Sequence, residues 1–199
     1  AGVSSDRESI SSCISAGTHP NLIAVHGKIH GHPEDTHGLV MALIAPTFRN
    51  LAGPPSLDSC TRDSYAADTR FTVSSALNIA LGIASAARHL HQRGILHGDL
   101  YAHNILHCGA GNALLGDFGA ASFFAPEDEV QAQALQRIEV RAFACLLEEL
   151  IERCEAAGTA AQLTLEKMSE LQARCARSNP AARPLFAEIQ EILESLQQQ

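Results

Sequence analysis

Residues 95–121 constrain the fold more than any other stretch, because they hold two short apolar runs on either side of a turn. The runs are residues 104–107 and 113–116, and the segment between them, residues 108–112, has the Gly and Asn content of a tight hairpin turn. The sequence therefore predicts an antiparallel hairpin about this turn, which brings the residues flanking the two runs together at its open end.

Three oxygen-bearing side chains are expected at the open end of this hairpin. The predicted pairing places Asn104 opposite Asp117, and residues opposite one another in an antiparallel pair have Cβ atoms about 5 Å apart. Asp99 lies five residues before Asn104, in the segment that leads into the same end. Carboxylate and amide oxygens held this close can share a hard cation such as Mg²⁺. The residues alone thus predict a metal-assisted phosphate site.

The motifs in this stretch resemble a known family. His97-Gly98-Asp99-Leu100 with Asn104, followed by Asp117-Phe118-Gly119, resembles the catalytic loop and the magnesium loop of eukaryotic-type protein kinases. The resemblance implies that Asp99 orients the substrate hydroxyl and accepts its proton, while Asn104 and Asp117 hold magnesium. It also implies ATP and Mg²⁺ as cofactors and a protein as the substrate.

An earlier part of the chain resembles the same family. His19-Pro20-Asn21-Leu22 is followed by two strand-like runs, residues 22–25 and 39–44, separated by a polar loop. This order is similar to the region in which the third kinase helix gives way to strands of the small lobe. Taken alone, residues 39–44 are equally compatible with an ordinary core strand.

The resemblance implies a set of nucleotide-binding residues. Met41 stands where a gatekeeper side chain closes the back of the adenine pocket. The backbone carbonyl of Ala42 and the N–H of Ile44 would then read the edge of the adenine. Leu106 and Asp117 complete the residues that are expected to contact the cofactor.

Apolar residues at three- and four-residue spacing predict a mainly α fold in the second half of the chain. Residues 45–70, which are rich in Gly, Pro, Ser, Thr and Asp, predict a long irregular connection near the mouth of the nucleotide cleft. The predicted helices cover residues 72–92, 133–154, 163–177 and 185–196.

The resemblance divides the chain into a partial small lobe with hinge, residues 1–44, and a large helical lobe, residues 45–199. It continues through Asn179-Pro180-Ala181-Ala182-Arg183-Pro184, which resembles the segment before the last kinase helix. The glycine-rich phosphate loop and the lysine-bearing strand of the family are absent, so we expect a trimmed fragment whose full-length protein supplies both. Glu8 is the candidate for the helix glutamate that pairs with the lysine, and a solvated glutamate is the alternative.

The activation segment departs from the family in two ways. Gly98 replaces the arginine that usually precedes the catalytic aspartate and receives an activation-loop phosphate. Only residues 120–124 separate Asp117-Phe118-Gly119 from Ala125-Pro126-Glu127, so we expect no ordinary peptide-docking platform.

Two interpretations of Ala125-Pro126-Glu127 stay open. It resembles the motif that closes the activation segment, in which case Glu127 would pair with Arg183 and Glu139 would stand where an aspartate usually begins the central helix. Alternatively it is a simple helix-start turn with Pro126 at the first helical position.

A third departure concerns the charge beside the transferring phosphate. Tyr101 and His103 stand where the family places a lysine or arginine. A histidine can supply this charge only when it is protonated, near or below its usual pKa of about 6.5. We therefore expect slow transfer, or a contribution from elements outside this chain.

Composition argues against two classes of partner. The 199 residues are 46% apolar and 18% charged, which is ordinary for a globular protein. The net charge of −8 argues against nucleic acid, since phosphate binding needs clustered Lys and Arg. No apolar run approaches the roughly 20 residues that cross a bilayer, so no membrane partner is expected. Six cysteines without CxxC pairs indicate reduced thiols, and a cytoplasmic location is expected.

The sequence thus favours an ATP-dependent protein kinase that phosphorylates Ser or Thr, with Tyr not excluded. It is similar to bacterial kinase domains linked to leucine-rich repeats, although the chain contains no repeat. Two alternatives stay open. Gly98 and the short activation segment fit a small-molecule kinase of the aminoglycoside or choline type. The departures at Gly98, Tyr101 and the phosphate loop fit a pseudokinase that serves as a binding module.

Overall fold

The fold is organised around one long helix that carries the chain into the predicted catalytic loop. The computed structural model describes residues 10–33, 38–57 and 62–198. Within these ranges a first helix, α1, covers residues 10–16. The four longer helices are α2 (Val73–His91), α3 (Glu129–Glu152), α4 (Thr159–Cys175) and α5 (Phe186–Gln197). The fold is therefore mainly α, as predicted.

Short strands link the helices. They are β1 (Val25–Ile29), β2 (Gly38–Met41), β3 (Arg49–Asn50), β4 (Phe71–Thr72), β5 (Ile95–Leu96), β6 (Ile105–His107), β7 (Ala113–Leu115), β8 (Ser122–Phe123) and β9 (Cys154–Glu155). Single 3₁₀ turns cover Ala102–Asn104 and Pro180–Ala182. The described sheets pair β1 with β2, β3 with β6 and β7, β4 with β9, and β5 with β8.

Helix α2 confirms the prediction for residues 72–92. The Thr72 hydroxyl accepts a hydrogen bond from the Ser75 N–H (3.1 Å), which satisfies a free donor at the start of the helix. Gly94 follows the helix with a φ of 67°, a conformation that suits glycine. The buried face is rich in alanine, and helices α3, α4 and α5 all pack against α2. Small side chains on this face allow that close packing.

The other helices lie where their periodicity predicts them, with shifted ends. Helix α3 begins four residues before the predicted start, because Asp128 caps it by accepting a hydrogen bond from the Gln131 N–H (3.2 Å). Val140, Phe143 and Leu147 of α3 are fully buried, but Ile138, predicted to be buried as well, is 63% exposed. The buried stripe of α3 is therefore narrower than its apolar residues suggest.

The predicted hairpin is present with a register one residue different from expectation. Strands β6 and β7 pair Ile105 with Leu115 and His107 with Ala113. The ladder continues to Asn104, whose carbonyl accepts a hydrogen bond from the Gly116 N–H (3.0 Å). The predicted pairing of Asn104 with Asp117 is wrong, because Cys108 and Asn112 close the turn and fix this register.

The early strands are also shifted. The chain forms β1 and β2 as an antiparallel pair. Strand β1 begins three residues later than predicted, and strand β2 ends three residues earlier than predicted. Residues 21–23 instead pair with the hairpin, since Leu115 donates to the Asn21 carbonyl (2.8 Å) and accepts from the Ile23 N–H (3.2 Å). This pairing connects residues 21–23 to the hairpin of β6 and β7, which in turn packs against α2. The division of the chain into lobes at residue 44 stays a prediction.

Across the described ranges, no helix combines the length and the apolar character that a membrane span requires.

Candidate active site

Two buried side chains, His97 and Glu139, support the predicted catalytic loop. His97 Nε2 lies 2.7 Å from the Gly116 carbonyl, which fixes the start of the loop to the end of β7. The Gly98 N–H donates to Glu139 Oε1 (2.8 Å), and Glu139 Oε2 lies 2.6 Å from His91 Nε2. Glu139 therefore connects α2, α3 and the loop. His97 therefore supports this loop by packing and hydrogen bonding, as its place before Asp99 suggests.

Asp99 and Asn104 are in direct contact. Asn104 Nδ2 donates to both the backbone carbonyl and the carboxylate Oδ2 of Asp99, each at 2.9 Å. Both partners are acceptors, so the amide nitrogen must face them and Oδ1 must face away. The pair therefore presents one carboxylate and one amide oxygen at the open end of the hairpin. This is the donor set that a hard cation such as Mg²⁺ prefers.

Asp117 is turned outward by a strained backbone and by its buried neighbour. Its φ of 51° is the only positive φ of a non-glycine residue in the described chain, and its Oδ1 accepts the Gly119 N–H (3.0 Å). Phe118 is 6% exposed and packs against His97, with ring centroids 5.2 Å apart. Phe118 thus fills the core while Asp117 points away from it.

Helix α1 lies beside Asp117. Burial, and next the charge of Asp117, raise the pKa of the Cys13 thiol in α1 to about 11. The assignment of α1 to the third kinase helix stays a prediction. Glu8, the candidate partner of a lysine on that helix, lies outside the described residues.

His103 lies between two carboxylates, and one of them was not predicted. Its Nε2 is 3.3 Å from Asp99 Oδ2, and its Nδ1 is 2.8 Å from Asp63 Oδ1. Burial alone would lower the pKa of His103, but the hydrogen bond and charge of Asp63 and the charge of Asp99 raise that pKa above its ordinary value. Sequence analysis missed Asp63. The available signal was the length of the irregular connection, residues 45–70, that contains it.

The two departures in the activation segment have one structural cause. Gly98 has a φ of 80°, and a Cβ added there would lie 2.2 Å from the Ala120 carbonyl oxygen. The chain after Gly119 runs directly over Gly98, and β8 then pairs with β5 beside it. An arginine at position 98 cannot fit beneath this short segment. Gly98 and the missing activation loop are therefore parts of the same arrangement.

Residues 125–127 form neither the expected ion pair nor the expected helix start, and their resemblance to the segment-closing motif stays a prediction. Glu127 is exposed, and the Arg183 guanidinium donates instead to the carbonyls of Arg177 (2.8 Å) and Arg137 (2.9 Å). Within residues 62–198 no ion pair joins Glu127 to Arg183. Pro126 is not the first helical residue either, because α3 begins at Glu129. Because α3 begins at Glu129 and not at Pro126, the segment from Phe123 to α3 is longer than expected, and Glu127 lies in it outside the core.

The predicted adenine-reading residues lie at the end of β2. Met41 is 42% exposed, and the Ala42 N–H donates to the Ala24 carbonyl (2.8 Å). In the described chain neither the Ala42 carbonyl nor the Ile44 N–H has a hydrogen-bond partner. No hydrogen bond between described residues connects this segment to Asp99 or Asn104.

Leu106 lies on the less buried face of the hairpin. It pairs with Leu114, and both are half-buried, whereas Ile105 and Leu115 on the other face are fully buried. A cavity of about 410 Å³ lies elsewhere, beside β3 and residues 64–70, with His107 in its wall. None of the predicted site residues lines that cavity.

Comparison with known proteins identifies the family of the chain. A profile described as "Protein tyrosine and serine/threonine kinase" matches residues 6–154. Because the match spans most of the chain, the chain belongs to the protein tyrosine and serine/threonine kinase family.

Several curated kinases are similar to the chain. "RGS domain-containing serine/threonine-protein kinase A" of Dictyostelium discoideum is 27% identical over 167 residues, which cover 67% of this chain and 15% of that protein. "Serine/threonine-protein kinase STY17" of Arabidopsis thaliana is 29% identical over 63% of this chain and 28% of its own length. "Serine/threonine-protein kinase PrkC" of Bacillus subtilis is 31% identical over 52% of this chain and 14% of its own length. The chain thus spans less than a third of each of these relatives.

Proposed function

We propose that the protein containing this chain transfers the γ-phosphoryl group of Mg-ATP to a protein hydroxyl, with Ser or Thr favoured. The observation that carries the proposal is the contact of Asn104 with Asp99 at the hairpin end from which Asp117 projects. A carboxylate and an amide in contact, with a second carboxylate just beyond the end of the hairpin, are the oxygen donors that magnesium-assisted phosphoryl transfer uses. Membership of the kinase family and the serine/threonine kinases among the relatives support the same reaction.

Each proposed role follows from the position of the group. The Asp99 carboxylate orients the acceptor hydroxyl and takes its proton as the oxygen bonds to phosphorus. Asn104 Oδ1 and the Asp117 carboxylate are the proposed magnesium ligands. When bound, the metal neutralises the charge that develops on the phosphate oxygens. Asp117 Oδ1 already accepts the Gly119 N–H, which orients the carboxylate.

The proposed nucleotide contacts come from the segment at the end of β2 and from the hairpin of β6 and β7. Met41 is proposed to line the back of the adenine pocket, with the Ala42 carbonyl and the Ile44 N–H reading the adenine edge. Leu106 is proposed as the apolar surface beneath the ring, since it lies on the less buried face of the hairpin. We further propose that the full-length protein supplies the phosphate loop and the lysine strand of the family.

The proposed enzyme needs no activation-loop phosphate. Its catalytic aspartate is preceded by Gly98, and the Gly98 N–H is held by Glu139 (2.8 Å) rather than by a switchable side chain. The short segment over Gly98 leaves little room for a peptide platform. This last observation also favours a second candidate function, phosphorylation of a small molecule of the amino sugar or amino alcohol type.

The proposal is tested by Mg-dependent ATP turnover of the full-length protein. Asp99→Ala is expected to lower turnover at least about 100-fold, the effect typical of a lost general base. The exposed Asp68 provides the control, because Asp68→Ala removes a carboxylate away from the loop. Wild-type turnover in Asp99→Ala would refute the assignment. Radiolabel transfer to a generic protein, compared with a panel of amino sugars and amino alcohols, separates the two candidate substrates.

A further inference from the structure

Asp63 is a buried carboxylate whose hydrogen bonds go to a single residue of the catalytic loop. Its side chain is only 2% exposed. Oδ2 accepts the backbone N–H of His103 (3.0 Å), and Oδ1 lies 2.8 Å from His103 Nδ1. Burying a carboxylate is costly unless its oxygens are hydrogen-bonded, and the two contacts with His103 offset this cost for Asp63. The same two contacts fix both the backbone and the ring of His103.

The other side of the His103 ring reaches the catalytic aspartate. His103 Nε2 is 3.3 Å from Asp99 Oδ2, the same oxygen that accepts the Asn104 amide. The Tyr101 ring stacks almost parallel to that of His103, with centroids 6.3 Å apart. Oδ2 of Asp99 is thus approached from two sides by groups with fixed positions, which leaves Oδ1 for the acceptor hydroxyl.

Asp63 is itself on a firm support. Arg62 forms ion pairs with Glu148 (2.6 Å) and Glu149 (3.2 Å) of α3, and the Tyr65 hydroxyl donates to Glu149 (3.2 Å). Between them, Ser64 exchanges two backbone hydrogen bonds with Gly53 (2.8 and 2.9 Å). Arg62 and Tyr65, on either side of Asp63, are therefore bound to α3, and Ser64 is bound to Gly53, although the segment around them is irregular.

We propose that Asp63 is a positioning residue for phosphoryl transfer, which acts through His103 to fix the carboxylate of Asp99. The inference rests on the proposed function. Asp63 touches none of the proposed nucleotide contacts, so its loss acts on the transfer step and not on nucleotide binding. A carboxylate that rotates away from the acceptor hydroxyl loses the orientation on which much of the rate depends.

The test compares steady-state kinetics of the full-length wild-type protein with Asp63→Asn. The amide keeps the shape and one acceptor oxygen but cannot accept from both His103 donors. We expect kcat to fall about 10- to 100-fold while the KM for ATP changes less than about twofold. Asp68→Asn, an exposed change on the same connection, is the matched control and is expected to leave both constants unchanged.

A double variant tests the route through His103. If the two side chains act as one unit, Asp63→Asn combined with His103→Ala is expected to be no more than about twofold slower than His103→Ala alone. Multiplied losses in the double variant, or an unchanged kcat in Asp63→Asn, would overturn the proposal. If Asp63→Asn fails to fold, His103→Gln keeps the backbone N–H and removes the ring, and its kcat decides by the same criterion.

A second measurement separates this inference from the proposed function. Amide hydrogen exchange of His103 in the full-length protein needs no catalysis, and we expect exchange at least about 10-fold faster in Asp63→Ala than in wild type. If the wild-type protein shows no phosphotransfer, the proposed function is refuted. The exchange rate of the His103 amide then still tests whether Asp63 positions His103. Unchanged exchange in Asp63→Ala would overturn the positioning role of Asp63.

Discussion

The backbone at position 98 shows how one residue type decides what surrounds it. Gly98 combines a φ of 80° with the Ala120 carbonyl immediately above it, and its N–H is bound by Glu139. A side chain at this position is strained by the φ and obstructed by the carbonyl. An arginine at this position is therefore excluded by space.

Gly98→Ala is expected to lower the free energy of unfolding by about 2 kcal/mol or more, because the added Cβ meets both the strained φ and the carbonyl oxygen. Urea unfolding of the wild type and the variant measures the effect. Gly109→Ala is the matched control, since a Cβ there meets nothing within 4 Å. Equal midpoints for Gly98→Ala and wild type would show that Ala120 moves aside without cost.

At the scale of elements, the hairpin of β6 and β7 joins the catalytic loop to the core. Its two faces differ: Ile105 and Leu115 are fully buried, while Leu106 and Leu114 are half-buried. His107 shares the buried side, packs edge-on against Phe71 at 5.7 Å between ring centroids, and pairs across the sheet with Arg49. Burial, followed by the charge of Arg49, lowers the pKa of His107 below its ordinary value.

The lowered pKa of His107 predicts a pH dependence of stability. Between the folded pKa and the unfolded value of about 6.5, the unfolded chain binds more protons, so stability falls as pH is lowered through this window and levels off on either side of it. We expect His107→Gln to lose less unfolding free energy than wild type between pH 7.5 and pH 5.0. Exposed His26 gives the control, and His26→Gln is expected to keep the wild-type dependence. An identical pH dependence in His107→Gln would refute the prediction.

Helices and strands differ in how well the sequence predicts them. Helices α2, α4 and α5 lie within a few residues of their predicted bounds, because helical period and capping residues act over a few positions. The strand bounds are less accurate. Leu22 pairs with Leu115 and is not part of β1. This pairing depends on a partner far along the chain, which the local pattern does not specify.

At the scale of the whole molecule, the proposed site draws on three separate parts of the chain. They are the segment after β2, the loop after β5 and the loop after β7, which carry the proposed nucleotide-binding, catalytic and magnesium-binding residues. Helix α3 supports the loop after β5 in two ways: Glu139 holds Gly98 directly, and Glu148 and Glu149 hold Arg62 beside Asp63, which bonds to His103 of that loop. The proposed catalytic geometry therefore depends on the position of α3.

Nucleotide binding is expected to stabilise the full-length protein more strongly when the proposed magnesium ligands are present. A ligand that binds the folded state raises Tm by mass action, so Mg-ATP is expected to raise Tm more than ATP with EDTA. Asp117→Ala is expected to abolish the extra shift, whereas Asp99→Ala keeps it, because Asp99 is not a proposed metal ligand. Thermal unfolding with each nucleotide condition measures this. Loss of the shift in both variants alike would contradict the separate roles.

The sequence by itself determined the mainly α fold, the hairpin and the identity of Asp99, Asn104 and Asp117 as candidate site residues. These depend on periodicity, turn chemistry and motif order, which are all local properties of the chain. Only the tertiary structure decided that Asn104 opposes Gly116 and that Ala120 covers Gly98. It alone brought Asp63 to His103, from a position 40 residues away. Such contacts depend on how distant segments pack, and no local pattern encodes which buried carboxylate meets which loop.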